Sequence, residues 1–173
     1  MPSPRPTAAS AGDGSADVFL AVVGKRQGQI KGECRAVGHV DEIAALTWQW
    51  GMSSPSAIGS TQATRRRVHE ELVVTKHLDA ASTRLMNALA TNEELKSVKL
   101  SLRKVGASKD DFFTIELEAG RVSDLHVESD DSGGVLEIVK FAFQKIEVTY
   151  QPQLAAGGLG GSQVFQDELD NAQ

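Results

Sequence analysis

The feature that most constrains the fold is a helical pattern that lies between two strand patterns, in a chain otherwise made of alternating β-runs. From Val68 to Leu78 apolar residues mostly recur at every second or fourth position, as a half-buried strand requires. Beyond Asp79 the spacing becomes helical, and alternation resumes after Asn92. Because an isolated helix of about 12 residues is marginal in water, this helix is predicted to pack on the strands.

The predicted helix has its own start, stop and buried face. The Asp79 carboxylate can accept a hydrogen bond from the free N–H groups of the first turn, so Asp79 is predicted as the N-cap. Asn92 is predicted as the stop. The apolar face is predicted to consist of Ala81, Leu85, Ala88 and Leu89.

The remaining sequence predicts short strands separated by turns. They are expected over 17–23, near 30–34, and over 41–52, 113–117, 122–127 and 135–150. Changes of parity predict a bulge between Ile43 and Leu46 and another near 144–145, and Gly120 is predicted to end a strand. This pattern favours a mainly β fold, a closed or nearly closed antiparallel β-barrel with one flanking α-helix; a two-sheet sandwich is the alternative.

Composition predicts three segments in a chain of 173 residues, which is long enough for one domain with a full core. Residues 1–16 are rich in Pro, Ser, Ala and Gly and are predicted to be a disordered arm. Residues 17–153 are predicted to form the β-barrel domain. Residues 154–173 are predicted to be a flexible Gly-rich and acidic tail.

Charge and cysteine content narrow the class of function. The net charge of −5 argues against nucleic-acid binding, and the run Arg65–Arg67 is predicted to be a solvated loop. A single cysteine, Cys34, cannot form an internal disulfide, which indicates folding in the cytoplasm. No stretch reaches the ~18 apolar residues of a membrane helix, and residues 1–17 lack the apolar core of a secretory signal. Export would therefore need a route without a cleaved signal.

No pattern typical of catalysis, metal binding or cofactor binding occurs in the sequence. His69 and His77 share one strand face but lie about 26 Å apart, too far to share a metal. The glycines at 157–161 are not followed by the Lys-Ser or Lys-Thr of a phosphate loop, so they are predicted to form a linker. The protein is therefore predicted to be a non-enzyme without a cofactor.

Two tryptophans on one strand face have two interpretations. Trp48 and Trp50, together with Leu46 and Met52, are predicted to contribute to the core rather than to a stacking platform for a ligand. Because side chains alternate along a strand, Thr47 and Gln49 point the other way.

Five short motifs, in order along residues 17–153, resemble the Hcp family, the haemolysin-coregulated tube proteins of the bacterial type VI secretion system. They are a Gly-Glu turn, a WxWG element, a TKxxDxxS element, an LxxRKxG element and the strand that ends near 153. The matching positions are Gly32, Glu33, Trp48, Trp50, Gly51, Thr75, Lys76, Asp79, Ser82, Arg103 and Lys104. The sequence departs from the family at His77, Thr83 and Asn92, where Tyr, Pro and Gly are common.

The resemblance implies a protomer that assembles into a hexameric ring. Rings would stack into a tube that a contracting sheath expels behind a VgrG spike, with effectors carried in the lumen. The implied partners are other copies of the chain, VgrG, sheath proteins and effectors, without nucleic acid or membrane insertion. The protein would be made in the bacterial cytoplasm and secreted by the type VI machine without a signal peptide. The alternative is a monomeric β-barrel that binds a small apolar ligand.

In such a ring, Gln49 and Thr47 are candidate lumen residues. A lumen has to pass varied cargo, and small uncharged polar side chains suit that surface. A solvated position on the outside of the ring is the alternative for both.

Overall fold

The computed structural model describes residues 15–55, 59, 61, 67–106 and 110–169. Within these residues the chain forms strands and one helix. In chain order they are β1 Ala16–Gly24, β2 Gly28–Gln29, β3 Ile43–Ala45, β4 Thr47–Gln49, β5 Met52–Ser53, β6 Val68–His69, β7 Leu72–His77, α1 Ser82–Ala90, β8 Leu95–Lys104, β9 Asp111–Ser129, β10 Val135–Ala142, β11 Lys145–Tyr150 and β12 Gln163–Glu168. The prediction of a strand–helix–strand centre is confirmed.

The strands pair into antiparallel sheets that do not close. The main path runs β2-β1-β8-β9-β10-β7-β4, with β11 and β12 beside β9, β3 beside β1, and β5-β6 as a separate pair. A mainly β fold with one helix is therefore confirmed, but the closed or nearly closed barrel is wrong for the described strands. The two ends of this path, β2 and β4, do not pair with each other among the described strands.

The segment predicted as one strand over 41–52 is divided into three. The path divides at β9 into two sheets: one contains β1, β2, β3, β8, β11 and β12, and the other contains β4, β7 and β10. At Leu46 the chain passes from the first sheet to the second, and the Leu46 N–H donates to the Thr75 carbonyl at 2.8 Å. Leu46 and Met52 are exposed, contrary to the predicted shared face, whereas Trp48 and Trp50 pack against the core. The parity change predicted near Leu46 thus marks a change of sheet.

Strand β9 continues through Gly120, where the sequence predicted an end. Its first half pairs with β8 and β11, and its second half pairs with β10. Ala119 has a φ of 49°, and a Cβ on Gly120 would lie 2.7 Å from the Ala142 carbonyl oxygen. Glycine is needed there because the strand bends against β10, and the buried set changes from odd to even positions.

The helix buries a narrower face than its spacing predicted. Leu85 and Ala88 are buried, but Leu89 is 37% exposed and does not belong to the core. Ala81, not Asp79, occupies the N-cap position. Asn92 has a φ of 52°, which confirms the predicted stop after the last helical turn.

The core lies between the two sheets and α1. Its fully buried apolar side chains come from both sheets and the helix, among them Leu20, Val22, Ile43, Leu72, Val74, Leu85, Leu95, Leu100, Ile115, Leu117, Val139 and Phe141. Trp48 stacks on Phe113 at the edge of this core, with ring centroids 5.8 Å apart. The core interpretation of the two tryptophans is therefore supported.

Two further predictions need correction. The short strand lies at Gly28–Gln29 instead of 30–34, and Ile30 is buried beyond its end. Within the predicted flexible tail, Gln163–Glu168 forms β12, which pairs along its whole length with β11. The division of the chain into three segments stays a prediction.

Some expectations fall outside the described residues. These are the disordered state of residues 1–14 and the charges at 65–66. Among the described residues, no helix is long and apolar enough to cross a membrane.

Candidate functional site

A buried ionic network, here called the Lys76 network, lies where β7 leads into α1. Lys76 and Glu137 are fully buried and face each other across β7 and β10. The Lys76 ammonium donates to Ser82 Oγ at 3.1 Å and to Glu137 Oε2 at 3.2 Å, and lies 2.9 Å from Asp79 Oδ1. Its three protons thus meet three oxygen atoms, which compensates for the cost of burying the charge.

The same motif residues shape the entry of the helix. The Asp79 N–H donates to Ser82 Oγ at 3.0 Å, and Asp79 Oδ1 accepts from the Ala81 N–H at 2.9 Å. Glu33 Oε2 accepts from the Ala80 N–H at 3.2 Å, so the early Gly-Glu turn reaches the helix start. A Cβ on Gly32 would lie 2.5 Å from the Glu42 carbonyl oxygen, so this close approach requires glycine.

The other motif positions lie elsewhere. Trp50 stacks on His69 with centroids 5.7 Å apart, and the Gly51 carbonyl accepts from the Glu70 N–H at 2.8 Å. Thr75 lies opposite Thr47 in the β4–β7 pair. Arg103 and Lys104 end β8. The structure therefore brings the Gly-Glu turn to the helix-entry residues and pairs the tryptophan strand β4 with β7, which carries Thr75 and Lys76.

A cluster around His39 was not predicted from the sequence. We call it the His39 clamp, and its members are His39, Glu42, Asp111, Arg103 and Phe19. His39 Nδ1 lies 2.6 Å from Glu42 Oε2, and Nε2 lies 2.9 Å from Asp111 Oδ1. The imidazole stacks on the Phe19 ring at 4.0 Å, and the Arg103 guanidinium lies 5.3 Å from the same ring. Arg103 lies in a recognised motif, but no local pattern links it to His39.

A second cluster joins the β5–β6 hairpin to β12. His69 Nε2 lies 2.8 Å from Asp167 Oδ2, and the Arg67 guanidinium pairs with the same carboxylate and donates to the Glu168 carbonyl at 2.9 Å. Hydrogen bonds from Arg67 and His69 hold the pKa of Asp167 well below its usual range, against the effect of burial. Arg67 is exposed, as expected for a solvated charge, but its guanidinium also pairs with the Asp167 carboxylate and so joins the β5–β6 pair to β12.

The turn between β1 and β2 is held by a buried carboxylate. Glu93 accepts hydrogen bonds from the Arg26 N–H at 2.6 Å, the Gln27 N–H at 2.8 Å and the Gln27 side chain at 2.6 Å. Burial raises the pKa of Glu93. These hydrogen bonds and the Arg26 charge together lower it by more, so the pKa of Glu93 lies below its ordinary value. Sequence analysis gave no signal for this contact.

The candidate lumen residues lie on β4. Thr47 and Gln49 are exposed, while Trp48 between them is half-buried, as the alternation predicted. Their position relative to a lumen stays a prediction. Across the residues that the structure describes, no group of histidine, cysteine and carboxylate side chains could hold a metal ion.

Comparison with known proteins decides the family. Residues 19–150 match the family model described as "Type VI secretion system effector, Hcp". The chain is also 32% identical over 154 residues to Protein hcp1 of Pseudomonas aeruginosa, an alignment that covers 86% of this chain and 91% of that protein. The chain belongs to the Hcp family. The resemblance found in the motifs is thereby confirmed.

Further relatives agree with this assignment. The chain is 27% identical over 157 residues to the Major exported protein of the same organism, covering 80% of this chain and 91% of that protein. A solved "type six secretion system protein" superposes with a TM-score of 0.80 at 22% identity, covering 90% of this chain and 96% of the other. Hcp1 of E. coli EAEC 042 gives 0.72 at 23% identity, covering 88% and 98%. The fold is therefore the Hcp fold.

Proposed function

We propose that this Hcp protein is a structural tube subunit of a type VI secretion system. Six copies close a ring, rings stack into a tube, and a contracting sheath expels the tube behind the VgrG spike. The observation that carries this proposal is the match to the Hcp family over residues 19–150. Within that span the buried Lys76 ammonium is paired with Ser82, Glu137 and Asp79, and such a structural ion pair suits a tube subunit better than an enzyme.

Export and cargo are part of the same proposal. The subunit is made in the bacterial cytoplasm and leaves by the type VI machine, without entering a membrane or binding nucleic acid. Effectors ride in the lumen of the ring. The relative named "Major exported protein" supports secretion.

The exposed edge of β12 is consistent with a ring. In the described sheet, β12 pairs only with β11, so its outer edge lacks a partner strand. Val164 and Phe165 on this strand are 53% and 40% exposed. Neighbouring subunits protect such edges from aggregation, and head-to-tail contacts close into a ring when the rotation divides a full turn.

No observation favours the alternative of a monomer that binds an apolar ligand. A groove of about 560 Å³ crosses β9, β11 and β12, but its lining is mainly charged. The lining residues are Glu116, Glu118, Lys145, Ile146, Glu147, Gln166, Asp167 and Glu168.

The ring is tested by the native mass of the purified protein. We expect light scattering to give about six times the 18.5 kDa of the single chain at micromolar concentration. A mass of one chain across that range would overturn the proposal.

The lumen position of Gln49 and Thr47 is tested separately with Gln49→Arg. In a lumen the variant adds bulk and charge where cargo passes, so cargo binding should weaken while ring mass is unchanged. Gln29→Arg, on the exposed turn strand β2, is the matched control. Cargo binding equal to the parent would exclude Gln49 from the cargo surface, and loss of the ring would place it at a subunit contact.

A further inference from the structure

The loop over residues 32–42, here called the valine loop, presents two exposed apolar side chains on an ordered frame. Val37 and Val40 are 67% and 62% exposed. The loop is closed on itself by backbone hydrogen bonds, such as that from the Gly32 N–H to the Asp41 carbonyl at 2.8 Å. Because the loop is already ordered, contact with a partner through the two valines costs little conformational entropy.

The valine loop lies at the β1 edge of the first sheet, on its outer face. His39 of the loop stacks on Phe19 of β1 with ring centroids 4.0 Å apart, and Arg103 Nη1 donates to the Val37 carbonyl at 2.8 Å. Side chains alternate along a strand, and Leu20 belongs to the core, so Phe19 points to the outer face. The loop therefore covers the outer face of β1.

Strand β12 forms the opposite edge of the same sheet and presents a second apolar surface. Val164 and Phe165 are 53% and 40% exposed. One row of paired residues joins the two edges: Phe19, Ser101, Thr114, Thr149 and Val164. Val164 therefore lies on the same face and at the same height as Phe19, four strand spacings or about 19 Å away.

The charges beside the two apolar surfaces are opposite. Arg35 is exposed in the valine loop, and Lys104 lies at the end of β8, next to the residue that bonds the Val37 carbonyl. The Asp41 carboxylate of the loop is already paired with Lys31 at 3.2 Å. The groove beside β12 is lined by five carboxylates and one cation, Lys145. Two copies that meet at these surfaces are therefore electrostatically complementary.

We propose that the valine loop of one subunit packs against the β12 edge of the next subunit, an inference that rests on the ring proposed above. A head-to-tail contact joins two different surfaces of the same chain. Rotation about an axis along the strands leaves height unchanged, so surfaces at one height on opposite edges of a sheet can meet. In this contact Val37 and Val40 cover Val164 and Phe165, and Arg35 faces the carboxylates of the groove.

A disulfide cross-link in the full-length protein tests the contact directly. Val37→Cys and Val164→Cys are combined in one chain, with Cys34→Ser to remove the native thiol. The two positions lie at opposite edges of the sheet, well beyond the ~7 Å between Cα atoms that a disulfide can span, so oxidation links only different copies. We expect a ladder of cross-linked chains that ends at six on a non-reducing gel. Val127→Cys in place of Val164→Cys is the control and should give no ladder.

Two charged variants test the contact independently through the native mass. Val37→Glu and Val164→Arg each place an unmatched charge in the contact, so the affinity between subunits should fall by about tenfold or more and each variant alone should lose the ring. An equal mixture should restore the ring, because in alternating order each altered loop meets an altered strand. Val127→Glu, at an exposed position of β9, is the control and should keep the ring mass.

The outcomes separate this contact from the ring itself. A parent protein with the mass of one chain would overturn both. When the parent has the mass of the ring, three results would each overturn the contact alone. They are a missing ladder, a charged variant that keeps the ring by itself, and a mixture that stays at the mass of one chain.

Discussion

The two ends of α1 bury charge in different ways. At the start, the Lys76 network pairs a cation and an anion that are both fully buried, with Ser82 and Asp79 as further acceptors. Beyond the end, Glu93 is a buried carboxylate held mainly by backbone and amide donors of the β1–β2 turn. The stability of the Lys76–Glu137 pair should depend on each partner. The Glu93 carboxylate has several neutral hydrogen-bond donors, so it should tolerate the loss of any one of them.

The largest effect should come from breaking the network at the start of the helix. Lys76→Ala leaves the Glu137 carboxylate buried without its cation, which should cost about 3–5 kcal/mol of unfolding free energy. Denaturant unfolding measures this cost. Lys96→Ala, at an exposed position of β8, is the matched control and should change stability by less than about 0.5 kcal/mol.

A double variant separates the cost of the unpaired Glu137 charge from the cost of lost packing. Lys76→Met with Glu137→Leu removes both charges and keeps much of the volume, so it should recover stability relative to Lys76→Ala. Unfolding of both variants under the same conditions makes the comparison. A double variant as unstable as the single would show that packing, not the unpaired carboxylate, dominates the loss.

Removing the buried carboxylate beyond the C-terminal end of α1 should cost less stability. Glu93→Ala leaves the Arg26 and Gln27 N–H groups without their acceptor, at a cost of about 1–3 kcal/mol in the same unfolding experiment. Glu94→Ala is the control in the next residue, where an exposed pair with Lys25 at 2.7 Å should contribute at most about 1 kcal/mol. Equal losses for both variants would contradict the assigned difference in burial.

The smallest effect is the pH dependence of that same contact. Because the folded pKa of Glu93 is lowered, its contribution is fully present above the unfolded pKa and is lost as pH falls through the folded pKa. The stability difference between the parent and Glu93→Gln should therefore shrink on acidification. A difference that is constant with pH would mean that Glu93 does not gain stability from its charge.

What the sequence predicts well is local. The order of β7, α1 and β8 was predicted from changes of period because each period depends on near neighbours, although the helix begins after Ala81 and not after Asp79. Parity also correctly placed Trp48 and Thr47 on opposite faces. Sheet closure was predicted wrongly because it depends on pairing between distant strands. The bend at Gly120 could not be predicted either, because it depends on the close approach of the Ala142 carbonyl from the neighbouring strand.

The side-chain clusters around His39 and His69 could not be predicted from local sequence patterns. His39 meets Asp111 across 72 residues of sequence, and His69 meets Asp167 across 98, without any motif that joins them. The helix-entry residues were found because they follow one another within a few positions, from Lys76 to Ser82. Glu137, the buried carboxylate that pairs with Lys76, was not predicted to belong to this group.

Strand β9 has a mechanical consequence. Since one continuous backbone belongs to both sheets, neither sheet can slide past the other unless β9 gives up its bonds to β10 or to β8 and β11. In the tube proposed above, a force applied to one sheet would therefore reach the other sheet through the backbone of β9.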